Sequence, residues 1–144
     1  MKTFRLFLLA IVVALVPVMA QAAGTVVLTS TDAVPGQTVK VYTFTMTGDA
    51  ANGSYPATVT PDLSGWIIGV ETNPGAVAPT TLYDLTLVDT DDADVMAGAL
   101  ADRSATVTER VISPQPYVRG PVTITGTNNS VNSAVVVLKI TVLR

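Results

Sequence analysis

The chain has 144 residues, a formal net charge of −3, no cysteine and no histidine. The missing cysteines exclude disulfides, a lipoprotein anchor and thiolate metal sites, and the missing histidines exclude the usual catalytic triads. The eleven acidic residues outnumber the eight basic ones and no basic patch is present, which argues against nucleic-acid binding because that depends on neutralising phosphates.

A secretory signal peptide is predicted over residues 1–23. Lys2 and Arg5 precede an uninterrupted apolar run over residues 6–16, and Pro17 ends this run before several small residues. The run is shorter than the roughly 20 residues of a membrane-spanning helix. We therefore predict export to the extracellular space or cell surface, with cleavage after Ala20 or nearer Ala23 and no stable membrane span afterwards. An uncleaved N-terminal anchor is the alternative.

The mature chain, residues 24–144, is predicted to be a single domain of β-strands joined by turns. Its first strand is predicted at residues 25–30, before a turn containing Pro35 and Gly36. Residues 39–47 alternate with period two, which predicts a strand whose side chains Tyr42, Phe44 and Met46 point inward. Further strands are predicted at residues 55–63, 65–72, 82–89, 121–127 and 133–143.

Three other features complete the prediction of elements. Asn52-Gly53 favours a primed hairpin turn. Within residues 82–89, Tyr83, Leu85 and Leu87 are predicted to face inward. Residues 95–111 are predicted as the one short helix, with the alternative that their second half, from Ser104, is a strand.

These elements predict an all-β fold, namely an antiparallel β-sandwich of about seven or eight strands, Ig-like or jelly-roll-like. A strand is predicted near each end of the mature chain. An end strand is a natural sheet edge, and an edge can pair with another copy or be exchanged with it. The alternative is that both end strands stay within their own sheet.

An aspartate-rich stretch, Asp89 to Asp94, follows the predicted strand 82–89. It fails the EF-hand pattern, because Ala93, Asp94 and Leu100 stand where that pattern needs a ligand, a glycine and an acid. A looser calcium site using Asp89, Asp91 and Asp94 with backbone carbonyls is one interpretation. The other is a solvated hairpin loop in which the aspartates cap backbone amides.

Catalysis would have to use carboxylates alone, and the candidates are Asp84, Asp89 and Glu109. The sequence offers no credible acid pair with one member in an apolar pocket, so we predict a non-catalytic protein with no catalytic residues. Calcium is the one candidate cofactor.

Carbohydrate binding would need exposed aromatic side chains. Tyr55 and Tyr117 lie beside prolines near loops and are predicted to be exposed. Trp66 and Tyr83 are predicted to lie in the core.

The region from Gly65 to Leu143 resembles a family of small β-rich structural proteins of tailed phages and prophages. The resemblance rests on Tyr83-Asp84, the acidic turn, Gly98, Asp102-Arg103, a strand from Gly120 to Ile124 and the closing apolar strand. It covers somewhat more than half of the chain and implies a virion-associated decoration, fibre or tail accessory protein with no catalytic residue.

The chain departs from that family at two points. Ala93 stands where the family has a glycine in the acidic turn, and a signal peptide is unusual for a phage component. Together with the resemblance, these features predict a structural protein that assembles with copies of itself, either as an extracellular filament or surface-fibre subunit or on a virion. The alternative is a secreted module that binds carbohydrate or a host surface.

Overall fold

The structure is a computed structural model that describes residues 21–33 and 38–144. The predicted signal peptide lies almost entirely outside these residues, as does the predicted turn at Pro35 and Gly36. Nine strands are present in the described part: β1 (Thr25–Ala33), β2 (Val39–Thr47), β3 (Thr58–Val59), β4 (Gly65–Pro74), β5 (Asp84–Val88), β6 (Glu109–Val111), β7 (Tyr117–Val118), β8 (Thr123–Thr127) and β9 (Val135–Leu143).

The strands form two antiparallel sheets, so the predicted β-sandwich is confirmed. The larger sheet has the order β1-β2-β9-β4-β6, and β7 also pairs with β4. The smaller sheet has the order β3-β8-β5. No strand pair in the described chain is parallel, and the described residues include no helix that could form a parallel crossover.

The core lies between the two sheets and follows from period-two alternation. On β2, Tyr42, Phe44 and Met46 are buried as predicted. On β5, Leu85 and Leu87 are buried, and Tyr83 is buried just before this strand, also as predicted. On β9, the alternate residues from Val136 to Val142 are buried and meet the β2 set across the sheet.

The predicted helix over residues 95–111 is wrong. Residues 94–101 form three successive turns, closed by Ala97 N–H to Asp94 C=O, Ala99 N–H to Met96 C=O and Ala101 N–H to Gly98 C=O. Positive φ angles at Ala97, Gly98 and Asp102 break the helical path. The alternative of a strand in the second half is correct only for β6.

Most strands also differ in length from their predictions, and β3 differs the most. The strand predicted over residues 55–63 is reduced to the two residues of β3, because prolines at 56 and 61 flank it. β1 extends to Ala33, three residues beyond its predicted end.

Candidate functional site

The aspartate-rich stretch forms a network of caps on backbone amides. Asp89 Oδ1 accepts from the Asp91 and Ala93 amides at 2.9 and 3.0 Å. Asp94 Oδ1 accepts from the Leu87 and Met96 amides at 3.3 and 3.1 Å, while its Oδ2 accepts from the Gly98 amide at 2.8 Å. These bonds match the interpretation of a capped loop.

The calcium interpretation remains a prediction. Asp89 and Asp94 direct oxygens at amides of their own loop, and Asp91 is exposed. In the described ranges, no three acidic side chains are so placed that they could hold a metal ion together.

Segment 93–103 closes the outer edge of β5. Val95 donates to the Leu87 carbonyl at 2.8 Å, Leu85 donates to the Leu100 carbonyl at 3.0 Å, and Arg103 donates to the Tyr83 carbonyl at 2.8 Å. Met96 and Leu100 are completely buried and anchor the segment in the core. The acidic stretch therefore belongs to a structure that protects a sheet edge.

The three candidate catalytic carboxylates do not form one site. Asp84 is the first residue of β5 and Asp89 follows its last, so the two lie about 16 Å apart along the chain, well beyond the separation of a glycosidase acid pair. Asp84 accepts from the Asp102 amide and from the Asn128 side chain. Glu109 accepts from the Ser104 amide at 2.6 Å and lies 3.7 Å from Arg103.

Thr72 and Tyr83 bring two hydroxyls together inside the sandwich. Burial raises the pKa of Tyr83, and the neighbouring Thr72 hydroxyl partly offsets that rise. Their geometry nevertheless falls short of a hydrogen bond, and neither hydroxyl has another partner in the described chain. We assign this pair no chemistry, because both hydroxyls are buried away from solvent.

The sheet edges differ in how they are protected. Segment 93–103 covers β5, and β3 has only two residues. β6 and β7 are short and are separated by a connector containing Pro114 and Pro116. In contrast, β1 is nine residues long, contains no proline or lysine, and pairs with β2 on one side only. We call its other side the free edge of β1.

The free edge of β1 is also exposed and partly apolar. Val27 and Leu28 are 51% and 37% exposed, and Asp32 is the one charged residue in the strand. A bulge at Thr29, where the register shifts between Leu28 and Ser30, is the one protective device on β1 itself. In the described part of the molecule, β1 is the one long edge that no other backbone covers.

β1 is held at its start as well as along its length. It keeps register with β2 from Thr25 to Ala33. Just before it, the Ala22 carbonyl accepts from the Ala50 amide at 3.0 Å, which ties the segment to the turn that follows β2. These bonds favour a β1 that stays in its own sheet.

An ion-pair group lies on the outer face of the larger sheet. Glu71 accepts from Arg110 at 2.7 Å and from Lys139 at 3.2 Å, across adjacent strands. The Arg110 bond, supported by Lys139, holds the pKa of Glu71 below its usual value despite partial burial. A shallow concavity of about 400 Å³ surrounds these charges, with Val41, Ile68 and Ile112 among its lining residues.

The aromatic predictions were half right. Tyr117 is 52% exposed and Tyr83 is buried, as predicted. Tyr55, predicted to be exposed, is buried because its ring packs over Gly126, where an added Cβ would lie 2.8 Å from Tyr55 Cδ2. Burial raises the pKa of the Tyr55 phenol, and the Tyr83 phenol raises it further.

Trp66, predicted to lie in the core, is 50% exposed. Its neighbours Gly65 and Ile67 are buried, so the alternation of β4 places the indole on the outer face of the sheet. The sequence held no clear signal for this orientation, because both faces of the strand after Trp66 carry apolar residues and a bulge between Ile67 and Gly69 shifts the alternation.

Comparison with known proteins adds no identity. No protein-family model matches the chain, and neither a curated protein nor a solved structure is significantly similar to it. Among the described residues there is no helix with both the length and the apolar character that a membrane crossing requires.

Proposed function

We propose that this chain is a non-catalytic structural protein that assembles with copies of itself through the free edge of β1. The observation that carries the proposal is the contrast between this edge and the others. Covering loops, prolines or short length protect the edges of β3, β5, β6 and β7, whereas β1 presents a long row of backbone donors and acceptors. Such a row pairs readily with another strand.

The partner edge that fits best is β1 of a second copy. The opposite edge of the larger sheet consists of the short strands β6 and β7, which offer three and two residues for pairing. Two copies of β1 can instead pair along most of their nine residues. Antiparallel pairing of identical strands has two-fold symmetry and forms one continuous sheet across the dimer.

This dimer would be the building unit of an exported assembly. The predicted signal peptide supports an extracellular filament or surface fibre. The resemblance to phage structural proteins supports a virion-associated decoration or fibre protein instead. Both settings use the same pairing of β1, which is the part of the proposal that the contacts support.

Sedimentation velocity with a matched pair of variants tests the proposal. The chain from Gln21 to Arg144 contains all nine described strands. Val27→Lys places a lysine on β1, where an exposed charge disfavours pairing of the edge with another strand. Val107→Lys adds the same charge in the loop before β6, the strand at the opposite edge of the sheet. The two sites have similar exposure, 58% for Val107 and 51% for Val27.

We expect the unmodified chain and Val107→Lys to associate as concentration rises, and Val27→Lys to stay monomeric. Equal association of both variants would show that the interface does not involve β1. A chain that is monomeric without substitution, at every concentration, would refute self-assembly.

A further inference from the structure

Two aromatic rings lie exposed side by side on the larger sheet. Trp66 on β4 is directly opposite Tyr117 on β7, and both side chains are about half exposed. Their ring centroids are 5.4 Å apart with an angle of 67° between the ring planes, so the edge of one ring packs against the face of the other while both stay about half exposed. In contrast, Tyr42, Phe44 and Tyr83 are buried.

A small cleft of about 190 Å³ adjoins this pair. It is lined by Tyr117 with its neighbours on β7 and by the start of the acidic stretch: Asp89, Thr90, Asp91, Tyr117, Val118 and Arg119. The lining of the cleft therefore combines one aromatic residue with carboxylates, a hydroxyl and a guanidinium.

The polar groups of the lining are available to a ligand. One oxygen of Asp89 caps loop amides. Among the described residues, the side chains of Asp91 and Arg119 make no hydrogen bond or ion pair, and both are exposed. Carboxylates accept hydrogen bonds and guanidinium donates them, so the lining can satisfy hydroxyl groups in both directions.

This combination fits a saccharide. A sugar ring presents a face of C–H groups, which pack against the electron-rich face of an aromatic ring, and a rim of hydroxyls that both donate and accept. A proline-rich peptide also docks on exposed aromatic residues, but it offers few donors to the two carboxylates. The small cleft volume, below the range of about 300–1,000 Å³ for larger ligands, suits one ring unit of a chain.

We propose that the Trp66–Tyr117 pair and the adjoining cleft form a saccharide-binding site, with Asp91 and Arg119 contacting hydroxyl groups. This proposal goes beyond self-assembly and stands independently of it. β4 and β1 are separated by β9 and β2, and β7 lies beyond β4, so Trp66 is about 14 Å and Tyr117 about 19 Å from β1. Pairing at that edge would leave the saccharide site open on every copy.

The single tryptophan gives a direct readout, because Trp66 is the only one in the chain. The chain would be screened on a glycan array and then titrated, while tryptophan fluorescence is followed, with cellohexaose, chitohexaose, maltohexaose and each array hit. A decaproline peptide would be titrated in parallel. We expect at least one saccharide to bind and shift the fluorescence, and decaproline to have no effect.

Variants locate the site. Tyr117→Ala keeps the reporter and is expected to weaken binding by about tenfold or more, the usual cost of removing an aromatic anchor. Tyr117→Phe keeps the ring and should retain most of the affinity, Arg119→Ala should weaken it, and Val107→Ala should change nothing. Circular dichroism of each variant checks that the fold is intact.

Three results would overturn the proposal: no binding to any saccharide tested, binding that Tyr117→Ala leaves unchanged, or a response to decaproline alone. Val27→Lys is expected to keep saccharide affinity even though it loses self-association. This variant therefore separates failure of the site from failure of the assembly.

Discussion

At the scale of single residues, the aspartates act mainly on the backbone. The Asp94 carboxylate accepts hydrogen bonds from three backbone amides on both sides of a turn, and the Asp89 carboxylate accepts from two more. The sequence predicted capping in general terms. It could not show which amides are capped, because the partners depend on left-handed residues such as Asp92 and Ala97, which neither composition nor periodicity reveals.

Replacing Asp94 tests this structural role. Asp94→Ala leaves three amides without their acceptor and should lower the free energy of unfolding by about 2 kcal/mol or more. Asp94→Asn keeps one acceptor oxygen and should cost less. Urea denaturation measures both, with calcium and with chelator. If calcium stabilised the unmodified chain and not Asp94→Ala, the loop would be a metal site.

Glu71 makes the free energy of unfolding depend on pH in the acid range. Because its folded-state pKa is lowered, its contribution is present above its ordinary value of 4.5 and is lost as pH falls through the lower folded-state value. Glu71→Gln should therefore cost about 0.5–1 kcal/mol near neutral pH, since its partners are largely exposed, and almost nothing in strong acid. Thermal unfolding across pH checks this. A cost that does not change with pH would contradict the ion-pair assignment.

At the scale of elements, alternation predicted the strands well where one face is buried. β2 and β5 were predicted with the correct inward sets because their apolar residues follow a period of two, whereas β9 was predicted only as a strand. The helix was wrong because the small residues around Gly98 permit consecutive turns as easily as a helix. Trp66 was misplaced because its size suggested the core, while its register on β4 directs it outward.

A disulfide between β1 and β2 distinguishes edge pairing from strand exchange. Val27 and Thr45 are direct partners across the two strands, at a spacing that suits a disulfide. The chain has no other cysteine, so Val27→Cys with Thr45→Cys forms one defined bond. Edge pairing predicts a bond within each chain and unchanged association.

Strand exchange predicts the opposite pattern in that experiment. β1 of one copy would pair with β2 of another, and non-reducing electrophoresis would show chains covalently joined into dimers and larger species. That result would contradict a β1 that stays in its own sheet.

At the scale of the whole molecule, the fold of the described residues leaves one long edge open and one aromatic pair exposed. All-β architecture followed from the sequence, because turn signals separate the Val- and Thr-rich segments. The protection of the other edges did not, since it depends on which loop returns to which strand. The two proposals follow from this uneven protection: assembly at the free edge of β1, and saccharide binding some distance away on the outer face.

The proposed association through β1 would also make stability depend on concentration. Because folding and pairing are linked, the melting temperature of the unmodified chain should rise as protein concentration rises. Val27→Lys should melt at one temperature regardless of concentration, and Val107→Lys should behave like the unmodified chain. Differential scanning calorimetry at several concentrations measures this. A concentration-dependent melting temperature for Val27→Lys would place the interface elsewhere.

Amide hydrogen exchange on β1 tests the central claim most directly. Successive amides of a strand point in opposite directions, so about half of those in β1 face β2 and the others face the free edge. We predict that the amides on the free edge become protected as concentration rises, while those in β2 and β9 stay protected throughout. Free-edge amides that exchange equally fast at every concentration would contradict assembly through β1.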